Sequence, residues 1–209
     1  MRLPLKVNID HNHTKIWFMS DLHLDHENIL KINRETRPFN DMEEMKEYMI
    51  DTIKKTVKPG DILFDLGDLV WKDSGETSKL IRDLLPENSY KIIGNHDNQS
   101  SYRDWKARGD IFDFMVTYKK ETIKLVVSHY PILDWNGRFH GSLNIHGHCH
   151  GNIDIVNQES GELRFDVGFD SIYAKENGSF LIPFEFIYEK AKSITHNQDF
   201  HDWAKTAFK

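Results

Sequence analysis

Lys15-Ile16-Trp17-Phe18-Met19-Ser20-Asp21-Leu22-His23 is an apolar run of strand length that stops on a carboxylate and, two residues later, an imidazole. Extended chain sends residues i and i+2 to the same side, so Asp21 is expected beside His23 with Leu22 turned away. The pattern recurs along the chain. Asp61-Ile62-Leu63-Phe64-Asp65-Leu66 ends at Gly67-Asp68, and Tyr90-Lys91-Ile92-Ile93 ends at Gly94-Asn95-His96-Asp97. Thr122 to Val127 ends at Ser128-His129-Tyr130-Pro131, and Leu143 to His146 ends at Gly147-His148-Cys149-His150. By the same parity His148 sits beside His150, with Cys149 facing away. Glycines ahead of Asp68, Asn95 and His148 permit tight turns that converge these side chains.

The intervals between the strands supply helices. Asp25 to Asn33 reads as a short one. Asp41 followed by Glu44 resembles a capping box opening a longer helix, whose Met42, Met45, Met49 and Ile53 share a face until Pro59-Gly60. Another runs from Glu76 to Leu85. Strand-helix-strand order in the first half predicts a parallel sheet, with polar residues at the C-terminal strand ends where such sheets place their sites. The second half reads as more antiparallel, with strands at Ile111 to Tyr118, Thr122 to Val127, Leu143 to His146, Leu163 to Val167 and Phe180 to Ile187. A closing helix is expected over 189–207. The expected fold is α/β, a four-layer αββα sandwich of two packed mixed β-sheets flanked by helices, as a single domain over 1–209.

Composition narrows the chemistry. The 209 residues carry 27 Lys+Arg against 33 Asp+Glu, for a net charge of -6, which argues against a broadly basic nucleic-acid surface. Apolar runs such as Leu125-Val126-Val127 fall far short of the ~18 residues that span a bilayer, and Met1 to Lys6 leads into no apolar signal segment. The chain is therefore expected to be soluble and cytoplasmic, with no membrane partner. One cysteine excludes an internal disulfide and a thiolate-built zinc site, whereas twelve histidines favour nitrogen and oxygen ligation. The strand-end clusters offer two aspartates, one asparagine and four histidines besides His96. That set suffices for two divalent cations sharing a carboxylate, with Mn, Fe, Zn, Ni or Co all compatible and manganese favoured.

The order DxH, GD, GNHD, a separate His and GHxH closely resembles the calcineurin-like metallophosphoesterase superfamily, and all five blocks stand in order between residues 21 and 150. Asp166-Val167-Gly168-Phe169-Asp170 is similar to a late strand and turn of its small members. The resemblance implies that Asp21, His23, Asp68 and His150 hold one metal. Asp68, Asn95, His129 and His148 would hold the second, with Asp68 bridging. It implies that His96 is the catalytic histidine, that Asp97 orients its ring, and that a metal-bridging hydroxide attacks. Leu69-Val70-Trp71 stands where protein phosphatases carry a further acid and an arginine, which favours the phosphodiesterase-like branches. His26, Asn28 and Arg37 belong to a narrower likeness to small bacterial and phage phosphoesterases. From it they are expected at the substrate mouth, with Arg37 pairing a phosphate oxygen.

The expected activity is hydrolysis of a small or nucleotide-like phosphodiester, a nucleic-acid end included. The alternatives are a phosphomonoesterase acting on nucleotides or sugar phosphates and, outside enzymes, a protein-binding scaffold. Lys119-Lys120, Arg103, Lys106 and Arg108 are candidate basic clusters for a nuclease; solvated faces are the plainer reading. His11, His13, His196 and His201 read as ordinary histidines. His146 reads as a structural hydrogen-bonding residue, and Asp166 and Asp170 as turn formers. Trp71 and Trp135 each follow a motif closely enough to stack on a base or ring at the cleft.

Overall fold

In strand β2 (Ile16–Met19) every residue is buried, because both faces of its sheet are covered. Alternation then divides the strand. Ile16 and Phe18 join Ile62 and Phe64 in a core shared with the second sheet. Trp17 and Met19 join Leu63 and the helical residues Met45, Met49 and Ile53 on the other side. The computed structural model describes residues 5–8, 14–72, 75–98, 105 and 107–194.

The first sheet adds β3 (Ile62–Asp65), β4 (Asn88–Ile92) and β5 (Ala107–Gly109) to β2, all parallel, with β10 (Ile182–Pro183) antiparallel at the edge, in the order β10-β2-β3-β4-β5. The second joins β1 (Leu5–Asn8), β6 (Ile111–Tyr118), β7 (Glu121–Ser128), β8 (Leu143–His146) and β9 (Arg164–Asp166) in that order. Its β6–β7 pair is antiparallel and the other pairs are parallel, so both sheets are mixed. Phe112, Phe114, Leu125, Val127, Ile145 and Phe165 fill the space between the sheets from this side. The expected α/β sandwich of two mixed sheets with flanking helices is the fold observed.

Helix α1 (Ile29–Ile32) is shorter than the 25–33 segment suggested. Helix α2 (Met42–Thr56) starts at Asp41, whose side chain accepts from the Glu44 amide, while the Glu44 carboxylate accepts from the Asn40 amide. Met45, Met49 and Ile53 are its buried face, with Met42 packed at the margin. Helix α3 (Glu76–Leu84) lies where expected and packs on α2.

The strand expected at Phe180 to Ile187 is not formed. Only Ile182 and Pro183 pair, and α6 (Phe184–Ile194) begins directly after them. Phe184, Ile187, Tyr188 and Ala191 are its buried stripe at helical spacing, masked in the sequence by the partly buried Phe186. The closing helix therefore starts earlier than expected, and residues 195–207 of it lie outside the described residues, as do His11, His13, Arg103, Lys106, His196 and His201. Strands β1 and β5 and helices α4 (Asp154–Glu159) and α5 (Ile172–Asn177) had no clear local signature.

Parallel pairing brings the polar ends together. Met19 pairs with Asp65 and Val127 with Ile145, so the chains leaving β2, β3, β7 and β8 emerge from the same edges of the two sheets. Backbone bonds continue past the strands: the Asp21 amide to Gly67 O at 3.0 Å, and the Gly147 amide to His129 O at 3.0 Å. A bridge between Ser20 and Gly168 ties the sheets at that edge.

Candidate metal centre

Among the described residues nine non-glycine positions have positive φ, and five of them are Asp21 (57°), His23 (51°), Asp68 (55°), His148 (70°) and His150 (49°). The left-handed region costs a residue with a Cβ roughly 1–2 kcal/mol, and such strain gathers at functional sites. The side chains are thus aimed by left-handed backbone, not by simple continuation of strand parity. The glycines also act differently from expectation. Gly67 needs its φ of 110°, but Gly94 and Gly147 are required for space. A Cβ on Gly94 would run into Asp68 Oδ1, and one on Gly147 would lie 2.5 Å from Asp21 Oδ2.

The donors converge. Asp21, His23 and His150 present one group of ligand atoms within 4.8 Å of one another, and Asp21, Asp68 and His129 present another. Asp68 Oδ2 stands 3.9 Å from His23 Nε2 and 3.4 Å from His129 Nε2. Asn95 Oδ1 is 3.0 Å from His129 Nε2 and 2.9 Å from His148 Nδ1. All seven expected ligands are therefore brought together. Asp21 belongs to both groups, so two carboxylates lie between the halves of the site.

The donor set fits cations. His129 Nδ1 lies 2.8 Å from Leu66 O and His150 Nδ1 lies 2.7 Å from Asp170 Oδ2, contacts that require Nδ1–H. In the neutral rings each Nε2 is then a lone pair aimed at other acceptors. His150 Nε2 meets His23 Nε2 at 3.2 Å, and the buried Asp21 Oδ1 and His23 Nδ1 have no hydrogen-bond partner. Lone pairs crowded against carboxylates and each other call for positive charge between them.

The proton affinities of these groups follow the same imbalance. Burial raises the Asp21 carboxyl, with His129 and His150 offsetting part of the effect. Burial also opposes ionisation of Asp68, but its bond with His129, the His129 charge and the His96 amide outweigh it and hold the carboxyl at about 2. His129 and His150 are raised above the ordinary imidazole value: desolvation opposes this, and Asp68 and Asp170 respectively prevail. His23 falls to about 3 through burial and the neighbouring His150.

Arg37 is not at the mouth. It is completely buried. Its Nε and Nη2 bond Asp170 at 3.0 and 2.9 Å, Nη1 donates to Leu22 O at 2.7 Å, and Nη2 to Asp21 O at 2.6 Å. A guanidinium so engaged has no edge left for a phosphate. It holds the Asp21–His23 turn and, through Asp170, orients His150. Asp170 is therefore more than a turn former; Asp166 does serve turns, accepting from the Gly151 and Gly168 amides.

The structure gives Asp97 a task other than orienting the His96 ring. Its Oδ2 accepts from the Asp68 amide at 3.1 Å and the Gly94 amide at 2.9 Å, and lies 3.0 Å from the buried Lys91 Nζ. Burial opposes the Lys91 charge, but Asp65 and Asp97 together hold it protonated. This carboxylate–lysine cluster braces the Gly67 and Gly94 turns. Lys91 was missed because a lysine in an apolar strand has no local sign of its partners.

His26 is partly buried and stacks on Trp71 at 4.1 Å and 9°. Asn28 is exposed at the start of α1. His146 is buried and bonded to Gly147 O at 2.8 Å, as expected of a structural histidine. Burial and nearby Asp166 push the Cys149 thiol up to about 12, which disfavours its thiolate.

A two-sheet sandwich whose strand ends gather carboxylates and imidazoles with ligand atoms within 4.8 Å of one another makes a metal-binding scaffold. The chain belongs to the calcineurin-like phosphoesterase family, whose pattern matches residues 14–197. It is 32% identical to the uncharacterized protein MJ1445 of Methanocaldococcus jannaschii over 140 residues, covering 66% of this chain and 70% of that one. The Gene 66 protein of Mycobacterium phage D29 is 24% identical over 209 residues, covering 87% of this chain and 98% of the phage protein. A crystal structure of AQ665 from Aquifex aeolicus, a protein of unknown function, shares the fold with a TM-score of 0.62 and 24% identity, over 84% of this chain and 98% of that one. Family membership makes this a metal-dependent phosphoesterase. Among the described residues, no helix is long and apolar enough to cross a membrane.

Proposed function

We propose that the protein is a dinuclear phosphodiesterase acting on a small or nucleotide-like diester in the cytoplasm, nucleic-acid ends included. The observation that carries the reading is the position of Asp68 Oδ2, 3.9 Å from His23 Nε2 and 3.4 Å from His129 Nε2, between two donor groups. Asp21, His23, Asp68 and His150 would hold one cation, and Asp68, Asn95, His129 and His148 the other. Two divalent cations, manganese first among the candidates, supply Lewis-acid polarisation of the phosphoryl oxygens and an activated water when bound.

His96 then serves the leaving oxygen as proton donor. Its side chain is 35% exposed, which leaves it open to substrate, and its Nε2 lies 4.0 Å from Asp68 Oδ2. A diester needs less cationic support than a monoester dianion, and among the described residues the completely buried Arg37 and Lys91 are already neutralised by carboxylates and do not offer it. The test compares manganese-dependent turnover of bis-p-nitrophenyl phosphate with that of p-nitrophenyl phosphate, with His96→Ala and Asp68→Asn as controls. The diester is expected to be preferred and both variants to be severely impaired. Preference for the monoester would favour the phosphomonoesterase, and no turnover with any divalent metal the scaffold.

A further inference from the structure

Between the metal donors and the loop after β3 lies a stack of rings that family membership does not explain. His26 lies over Trp71 with centroids 4.1 Å apart and planes at 9°, and His96 lies against the same indole at 4.3 Å and 49°. Centroid distances this short place each imidazole over an indole face instead of at its edge. The Lys72 ammonium also lies over this indole, 5.8 Å from its centroid. Trp71 is thus engaged by His26, His96 and Lys72, which leaves the base-stacking role suggested by its place in the sequence without support; Trp135 is buried, with its indole N–H donating to Ser142 O at 3.2 Å.

The backbone fixes this arrangement. The Trp71 amide donates to Leu24 O at 2.8 Å, Leu24 and Val70 form a parallel bridge, and the His23 amide donates to Asp68 O at 3.0 Å. The loops that deliver His23 and Asp68 to the metal site thus also deliver His26 and Trp71 to their stack. His96 needs such a support. Its amide is held by Asp68 Oδ1 at 2.8 Å, but among the described residues its ring has no side-chain hydrogen bond, and the Asp68 carboxylate is 4.0 Å from Nε2. Asp97 Oδ2 is committed to two backbone amides and Lys91.

We propose that Trp71, backed by His26, is a positioning residue that holds the His96 imidazole against the leaving-group side of the site. The inference rests on the phosphoesterase reading and on His96 as its acid. When the ester breaks, water adds to phosphorus and releases a proton to solvent, the P–O bonding pair passes to the leaving oxygen, and His96 gives its proton to that oxygen before regaining one from solvent. A ring that drifts by an ångström delivers that proton poorly, and misplacement on this scale costs on the order of 10²-fold in rate. The loss depends on the leaving group, because a poor one needs the proton and a good one hardly does.

The test uses Trp71→Ala, Trp71→Phe and His26→Ala on metal-loaded protein, with a series of aryl phosphodiesters from p-nitrophenyl to phenyl. For Trp71→Ala, kcat is expected to fall for every ester, and about 30-fold further for phenyl than for p-nitrophenyl, with KM changed little. Trp71→Phe should restore most of the phenyl ester rate, and His26→Ala should show a smaller change of the same kind. In the zinc-loaded protein, the His96 ring-proton resonance, shifted upfield by the indole, should move downfield in Trp71→Ala. An equal loss for all esters, or a raised KM with an unchanged leaving-group dependence, would overturn the proposal while leaving the phosphoesterase reading intact. A wild-type protein that hydrolyses none of the series would overturn that reading and this inference with it.

Discussion

Replacing Arg37 with methionine separates two accounts of this side chain. As a substrate residue its loss would raise KM and leave the fold alone. In the structure it is a strut: completely buried, paired with a buried Asp170, and bonded to the carbonyls of Asp21 and Leu22. Methionine keeps much of the apolar volume but strands the Asp170 charge, with only Thr36 and His150 left to it. Breaking one side of a buried ion pair costs about 3–5 kcal/mol, and two orphaned carbonyls add roughly 1 kcal/mol each. For a chain of this length each kcal/mol lowers Tm by about 2–4 °C, so a drop of roughly 10–28 °C is expected.

The assay is thermal and urea unfolding of Arg37→Met, Asp170→Asn and the double variant, with metal held constant. Because the two groups touch, the double variant should be less destabilised than the sum of the singles by about 1–3 kcal/mol. Manganese affinity should fall about 10- to 100-fold, since Asp170 would no longer hold the His150 ring in place. A Tm within 3 °C or so of wild type, together with a KM raised for every phosphoester, would refute the strut and restore the substrate role.

Gly147→Ala places a Cβ 2.5 Å from Asp21 Oδ2 and should destabilise the protein by about 1–3 kcal/mol while weakening manganese binding at least 10-fold or so. Gly161→Ala, with φ 65° but open space around it, should cost about 1 kcal/mol and leave metal binding alone; equal metal titrations for the two would contradict the packing argument. Asp154 is buried and pushed up to about 6 by burial, with Oδ2 accepting from the Ile172 amide at 2.6 Å and Oδ1 unpartnered. A raised carboxyl pKa means that the folded state holds a proton the unfolded state releases, so stability is lost as pH rises from about 4 to 6 and stays lost above. Asp154→Asn should therefore gain about 1–2 kcal/mol at pH 7.5 after allowance for solvent screening, and nothing at about pH 2.5, where the carboxyl is protonated in the folded and unfolded states alike. Differential calorimetry at the two pH values checks the sign, and a gain that is larger in acid would reverse the assignment.

Much of this was legible in the sequence. Apolar runs ending on Asp21, Asp68, Asn95, His129 and His148 mark strands with donors at their tips, because burial requires continuous apolar stretches and a site requires polar ones. The face of α2 followed from spacing alone. What the sequence did not carry are the pairings. Arg37 and Asp170 are 133 residues apart, and Lys91 meets Asp65 across 26. Each looks locally like an ordinary surface charge, and only the closed sandwich makes it an internal strut. The left-handed aim of the ligands, the close approaches that require Gly94 and Gly147, and the ring stack on Trp71 belong to the same class. The run from Phe180 to Ile187 fits a strand or a helix equally well until the sheet edge accepts two residues and the core takes the stripe from Phe184. Local chemistry chose the atoms of the site, because residue type and strand ends are written in order along the chain. Their aim and support were decided by long-range contact, which only the folded backbone brings within reach.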